Sequence, residues 1–315
     1  MAPPVVDDAG RDGGGVDVPG SDAAVVDAAD AGRVPDAARP DISIGLDAVG
    51  LAGMLEIAAW NVQDFPRNGD TTVQKLAGAV HDMQLDLIAV EEIANMRDFQ
   101  RVLDKLPEYS GVLCTDTYSN GSYQKTGLIY RSSQIAVSNA QELFDPDWYP
   151  FPRSPLQAEV TATDPQGGGS YSFTIIVVHL KAGTTTDDHQ RRLEAMQQLK
   201  EHIDSLRTLS PDRDVVLLGD FNAQLTGSWS DVWDPFRDDS AHYRILTQPL
   251  ANAGEWSLPA YEILIDHLVV ADNGGADFSS DSTRVLHIDE RVSNYTNDLS
   301  DHRPVVTLIE PLVWR

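Results

Sequence analysis

Cysteine occurs once in this chain of 315 residues, at Cys114. An intrachain disulfide, a thiolate zinc cluster and a CxxC redox pair are thereby excluded. Cys114 itself reads as a small buried hydrophobe on a strand. Basic residues are also scarce: 23 Lys and Arg face 49 Asp and Glu, a net charge of −26. A basic groove that holds nucleic acid by net charge is not expected from such a balance, whereas a local cationic pocket or a bound cation is compatible with it. No apolar run reaches the roughly 18 residues of a membrane span. The first residues lack the basic start and apolar centre of a secretory leader.

Residues 1–54 contain no Phe, Trp or Tyr and carry ten Asp against three Arg. A segment so poor in apolar bulk cannot offset the entropy of ordering it. It reads as a disordered acidic spacer. Its charge of −7 leaves −19 for a folded body over residues 55–315. Spacers of this kind often separate a surface anchor from a folded domain, which points to secretion or the cell surface without fixing a compartment.

The body begins with alternating Leu55, Ile57 and Ala59, a strand that delivers Trp60 and Asn61 at its end. A helix is predicted from Thr71 or Thr72 to about Met83, then a strand running into Glu91 and Glu92. After a helix over 96–106, strands over 109–115, 126–131, 135–144, 156–163 and 171–180 follow with little helix between them, so antiparallel pairing is expected. A helix from Asp187 or Asp188 to about Leu206 carries the packing stripe Leu193, Met196, Leu199, Ile203 and Leu206. The run Val215–Leu218 reads as a central strand, with Gly219 where the backbone must turn.

The polar residues at these strand ends are the candidates for chemistry. Asp220 and Asn222 share one side of an extended chain and suit a hard cation or a phosphate, or else an ordinary turn. Glu91 and Glu92 are costly to bury without a cation or partner, the alternative being a solvated helix start. Arg153 lies in a proline-stiffened loop with Trp148, Tyr149 and Phe151, where it would grip a phosphate or stack on a ring. His179 ends a strand, weak evidence alone. Asp266 interrupts an apolar run and needs a partner. Asp301 and His302, being adjacent, point to different sides. The stretch holding Trp229, Trp233, Phe236 and Trp256 reads as a long loop whose aromatics contact substrate.

Together W-N at 60–61, V-E-E at 90–92, V-H-L-K at 178–181, G-D-F-N-A at 219–223, I-D-H at 265–267 and S-D-H-R-P at 300–304 resemble the deoxyribonuclease I-like endonuclease/exonuclease/phosphatase superfamily. The resemblance covers essentially all of 55–315. It implies an α/β (α+β) fold, a four-layer α/β/β/α sandwich of two mostly antiparallel sheets with outer helices. It also implies a metal-binding Glu92 with Asn61 and Asp301 close to the same cation, and Asp220 and Asn222 placing water and phosphate. His179 and His302 would flank the scissile phosphate, Asp266 would orient His302, and Arg153 would bind phosphate. Tyr123, Lys181 and Trp148 are further substrate-contact candidates.

In S-Y-Q-K-T at 122–126, however, Lys125 stands where the deoxyribonucleases carry the glutamate that pairs with the first histidine, and their disulfide pair is absent too. The expected activity is divalent-metal-dependent phosphodiester hydrolysis by a monomer. Mg²⁺ is the favoured ion, with Mn²⁺ or Ca²⁺ as alternatives. DNA or RNA is the first substrate class. Inositol phosphates or sphingomyelin-like phospholipids are the second, with Trp148, Tyr149 and Phe151 at a lipid interface, and a non-catalytic binding module is the third.

Overall fold

A computed structural model describes residues 24–26, 42–51, 53–118, 120–145 and 147–311. In chain order its elements are β1 (Ala24–Val26), β2 (Leu55–Phe65), α1 (Gly69–Met83), β3 (Leu87–Ile93), α2 (Met96–Leu103), β4 (Tyr109–Leu113) and β5 (Lys125–Arg131). Then come β6 (Ile135–Glu142), β7 (Leu156–Thr163), β8 (Ser170–His179), α3 (Thr186–Leu209), β9 (Asp214–Asp220), α4 (Asp234–Arg237), β10 (Tyr243–Ile245) and α5 (Gln248–Ala253). The chain finishes with β11 (Asp266–Ala271), β12 (Ala276–Asp277), β13 (Arg284–Val285), α6 (Tyr295–Asp298) and β14 (Val305–Pro311).

Two sheets result. One runs β1-β4-β5-β3-β2-β14-β12, with β13 also on β14, and the other runs β10-β11-β9-β8-β7-β6. Pairing is antiparallel except for β2 with β3 and β8 with β9. Each parallel pair is joined by its own long helix, α1 or α3, because parallel neighbours need a crossover. Strand alternation then divides the core. Ile57, Ala59, Leu87 and Ala89 face Ile175, Val177, Val216 and Leu218 between the sheets. The intervening Ala58, Trp60, Ile88 and Val90 face Leu76, Val80 and Phe99 of α1 and α2. Ile176, Val178, Val215 and Leu217 face Ala195, Met196, Leu199 and Ile203 of α3. The expected four-layer sandwich is therefore present. No helix among the described residues is long and apolar enough to cross a membrane.

Several local expectations change. Most of the acidic segment assigned to 1–54 lies outside the described residues, but residues 42–51 are described and are not a loose spacer. Their Ile42, Ile44 and Leu46 pack on the α1 side of the first sheet. The Ile44 and Leu46 amides donate to Asp82 Oδ2 at 2.8 and 3.0 Å. Three apolar residues at alternate positions, in a stretch whose composition otherwise reads as polar, are enough to dock it. Helix α1 starts at Gly69, one turn earlier in effect than a Thr71 or Thr72 cap would allow, and Thr72 instead accepts from the Asn68 amide. The cap of α3 is Thr185, whose hydroxyl accepts from the Asp188 amide while Asp188 reaches back to Thr185, a reciprocal capping box. The stretch after β9 is built from α4, β10 and α5, and its Trp233 and Phe236 are core residues, not substrate contacts. Phe151 is likewise buried, stacked on Phe144 at 4.5 Å, and unavailable to a lipid surface. Cys114 is buried just past β4, as its chemistry suggests.

Candidate functional site

The carboxyl ends of β2, β3, β8 and β9 meet at one edge of the sandwich. Strand register alone sets Asn61 beside Glu91, His179 beside Asp220, and Asp266 beside Asp220. Gly219 permits that convergence. With φ at +133°, any Cβ there would lie 2.1 Å from Val178 O and 3.0 Å from Glu91 Oε1. Bulges in β2 after Asn61 and in β3 after Val90 turn the chain out of the sheet. Gln63, Asp64 and Glu92 consequently take positive φ, a strained setting for side chains of this kind.

Asp220 is the centre of the cluster. Its Oδ2 accepts from Asn61 Nδ2 at 3.1 Å and lies 3.6 Å from His179 Nε2 and 3.9 Å from His302 Nε2. Its Oδ1 accepts from the Asn222 amide at 2.8 Å, while the Asn222 carboxamide donates to Leu180 O at 3.1 Å. Asn61 Nδ2 also reaches Glu92 Oε1 at 3.1 Å. Its own oxygen accepts from the Gln63 amide. His302 Nδ1 donates to Asp266 Oδ2 at 2.8 Å, and its Nε2 is 3.9 Å from Asp301 Oδ1. The loop carrying Asp301 and His302 is fastened by Ser300, whose hydroxyl donates to Asn61 O at 2.6 Å and accepts from the His302 amide.

Electrostatics separate these groups. Burial, with Asp266 next, pushes the Asp220 carboxyl up to about 7. Burial, then Asp64, raises Glu92. Burial opposes charge on His302, but Asp266 outweighs it and holds that imidazole well above its usual range. His179 is driven the other way, well below its usual range, by burial and then by Arg153. Its Nδ1 has no hydrogen-bond partner among the described residues, as Lys125 in place of a glutamate implies. Lys125 is turned away, with its ammonium on Asp116 O and over the Tyr123 ring.

Arg153 is buried and donates from Nη2 to Gln124 Oε1 at 2.6 Å. It does not stack on Trp148 or Tyr149. Arg191 occupies that place instead, 5.9 and 5.3 Å from the two rings. Lys181 lies 3.4 Å from Asp188, and the Tyr123 hydroxyl accepts from the Met96 amide. Trp148 is 43% exposed and makes its ring contacts with Tyr149 and Arg191, not with the cluster.

Sequence reasoning passed over three residues, Gln63, Asp64 and Gln124, and left Glu91 open between a buried acid and a solvated helix start. Glu91 is fully buried on β3, and neither of its carboxyl oxygens has a hydrogen-bond partner among the described residues. It is no part of a helix start. Gln63 donates to Asp301 Oδ2 at 2.7 Å. The Asp64 amide donates to Glu92 Oε2 at 2.8 Å, and Gln124 Nε2 donates to Asp64 Oδ1 at 2.7 Å. The adjacency of Glu91 to Glu92 was a signal for Glu91, whereas the other three depend on the bulge.

The donor set fits a hard divalent cation. Glu91 Oε1 and Oε2, Asp266 Oδ1 and Asp301 Oδ1 are buried oxygens without hydrogen-bond partners among the described residues, next to Glu92 and Asp220. Asp220, Asp266 and His302 each bring a ligand atom to within 4.8 Å of the others.

The family model described as "Endonuclease/Exonuclease/phosphatase family" matches residues 58–302. A protein named Deoxyribonuclease from Thioalkalivibrio sp. (strain K90mix) is 24% identical over 275 residues, 81% of this chain and 71% of that protein. Among solved structures, a humanised D. rerio TDP2 superposes with a TM-score of 0.60 at 14% identity, covering 82% of this chain and 99% of that one. The Bacteroides thetaiotaomicron mannosyl-6-phosphatase Bt3783 gives 0.54 at 14% identity, covering 81% and 99%. These likenesses establish a shared fold across different named activities.

Proposed function

Because the chain belongs to the Endonuclease/Exonuclease/phosphatase family, whose members are hydrolytic phosphoesterases, we propose that it hydrolyses phosphodiester bonds of DNA or RNA with the help of a divalent cation. The observation that carries this reading is the convergence of Asn61, His179 and His302 on one oxygen of Asp220, at 3.1, 3.6 and 3.9 Å. In-line hydrolysis needs a proton acceptor for water, positive charge around the phosphoryl oxygens and support for the leaving oxygen.

Glu92 and Asp301, with Asn61 beside them, would hold the cation, for which Mg²⁺ suits oxygen ligands and Mn²⁺ or Ca²⁺ are alternatives. Bound there, it would polarise the phosphate as a Lewis acid. Asp220 would take the proton from water, since a carboxyl poised near 7 can both accept and release it at neutral pH. His302, kept protonated by Asp266, would neutralise charge gathering on the phosphoryl oxygens. His179, Asn222 and Arg153 would assist, with Lys181 and Tyr123 near the substrate.

A nucleic acid is preferred over an inositol phosphate or a lipid headgroup because the matched relative is named a deoxyribonuclease. Burial of Phe151 also removes one of three aromatics from any lipid-facing loop, while Trp148 and Trp229 still present ring surface to a base. The test is plasmid nicking and oligonucleotide cleavage, run beside phosphate and choline release from lipids, with Mg²⁺ and with chelator. Asp220→Ala and His302→Ala should each lower turnover by about 10²–10⁴-fold without loss of folding, the usual reach of general acid–base groups. Near-normal turnover in both would refute the assignment.

A further inference from the structure

The bulge of β2 holds two consecutive non-glycine residues with left-handed backbone, Gln63 at φ +43° and Asp64 at φ +46°. Such backbone is costly and persists where the surroundings over-determine it. Here the surroundings are the two carboxylates assigned to the cation. Glu92 accepts at both oxygens, on Oε1 from Asn61 Nδ2 at 3.1 Å and on Oε2 from the Asp64 amide at 2.8 Å. Asp301 accepts on Oδ2 from Gln63 Nε2 at 2.7 Å. The Gln63 amide donates to Asn61 Oδ1 at 2.9 Å, which fixes the point from which its side chain starts.

Two buried oxygens remain at this bulge. Asp301 Oδ1 and Gln63 Oε1 have no hydrogen-bond partner among the described residues. Turned over, the Gln63 carboxamide would set its oxygen against Asp301 Oδ2, acceptor on acceptor, so its donor end faces the aspartate. A buried oxygen without a donor is costly, and a hard cation takes carboxylate and amide oxygens alike. A glutamate at this position would oppose Asp301 with like charge, and an aliphatic side chain would leave that carboxylate free to turn.

We propose that Gln63 is a positioning residue for the divalent cation, holding Asp301 by Oδ2 so that Oδ1 stays available to the ion. The inference rests on the reading in which Glu92 and Asp301 hold that cation. It concerns loading of the ion and gives Gln63 no part in proton transfer.

The experiment uses the full chain, stripped with chelator, and titrates MgCl₂ alone and then MnCl₂ alone by calorimetry without substrate. Gln63→Met keeps the side-chain length and removes the donor. Affinity for either ion should fall about 10–100-fold, the usual consequence of removing a group that orients a metal ligand. Turnover lost by the variant at limiting Mg²⁺ should return as Mg²⁺ is raised. The distinguishing step is a double-mutant cycle. Asp301→Asn should weaken ion binding by itself, and in that background Gln63→Met should change it by less than about threefold, because the carboxylate it orients is gone. Binding too weak for calorimetry is read from the Mn²⁺ concentration that raises the melting temperature.

A role confined to the fold of the bulge would repeat the loss in full in both backgrounds. That result overturns the proposal, as do unchanged or raised ion affinity in Gln63→Met, wild-type affinity in Asp301→Asn, and a wild type that takes up neither ion. In each of these cases a lost turnover in Asp220→Ala leaves the phosphoesterase reading standing. No turnover of any phosphoester by the wild type at any ion concentration removes that reading instead, and the calorimetry still decides the role of Gln63.

Discussion

Glu91 is the residue whose chemistry departs furthest from its surroundings. It is fully buried, unpartnered at both oxygens, and raised well above the ordinary carboxyl range by burial and then by Asp266 and Asp220. Without a cation, its protonated form is therefore favoured over the carboxylate. Because its folded pKa lies above its unfolded one, its contribution to stability is intact below about 4.5 and declines as pH rises above that value, where only the unfolded chain ionises. Glu91→Gln preserves shape, removes the proton linkage and places amide donors among carboxylates. In chelated protein the variant should melt higher than the wild type at pH 8 by a few °C, with the gap narrowing towards pH 5. Equal melting temperatures at pH 8 would mean that the carboxyl is not held neutral. Adjacent acids at a strand's end made this position conspicuous in the sequence. The upward shift was not legible there, because it arises from complete burial and then from Asp266 and Asp220, on strands distant in the chain.

At the level of elements, alternation made the strands and their polar ends readable: Asn61, His179 and Asp220 lie where an apolar run stops, Asp266 where one is interrupted at the start of β11, and the register joins them. Bulges were not readable, since one extra residue changes which side chain faces inward without altering composition. Gln63, Asp64 and Gln124 owe their contacts to such a bulge. Segment 42–51 was missed for a different reason, its three apolar residues being diluted by Asp, Ala and Gly.

That segment carries its own prediction. The Leu51 amide donates to Glu56 Oε1 at 2.7 Å, and Glu56 is pushed up to about 8 by burial and then by its hydrogen bond with Asp86. Asp86 in turn lies 3.5 Å from the Arg131 guanidinium. The raised carboxyl stabilises the fold fully below about 4.5, and that stabilisation is lost as pH climbs through 8. Glu56→Gln should remove this loss. The melting-temperature difference, variant minus wild type, should grow between pH 5 and pH 8 by on the order of 5 °C and level off above pH 9. A difference independent of pH would show that Glu56 is ionised throughout.

For the molecule as a whole, the charge of −26 sets how a nucleic acid can be bound. Affinity gained by releasing counterions scales with the number of phosphates met by Lys or Arg, at about −0.7 in log–log salt slope for each contact to a single strand. Arg153 and Lys181 are the cations proposed for the substrate, and Lys181 is already close to Asp188. Two contacts give a slope of about −1.4, so kcat/KM on a short oligonucleotide should drop by less than about tenfold between 50 and 200 mM salt. Enzymes that track a basic groove lose far more. Initial rates at saturating Mg²⁺ across that range would measure it. A fall beyond a hundredfold would require a basic surface that an acidic body of this composition does not supply, and would place the substrate's grip somewhere other than the Asp220 cluster and its neighbouring arginine.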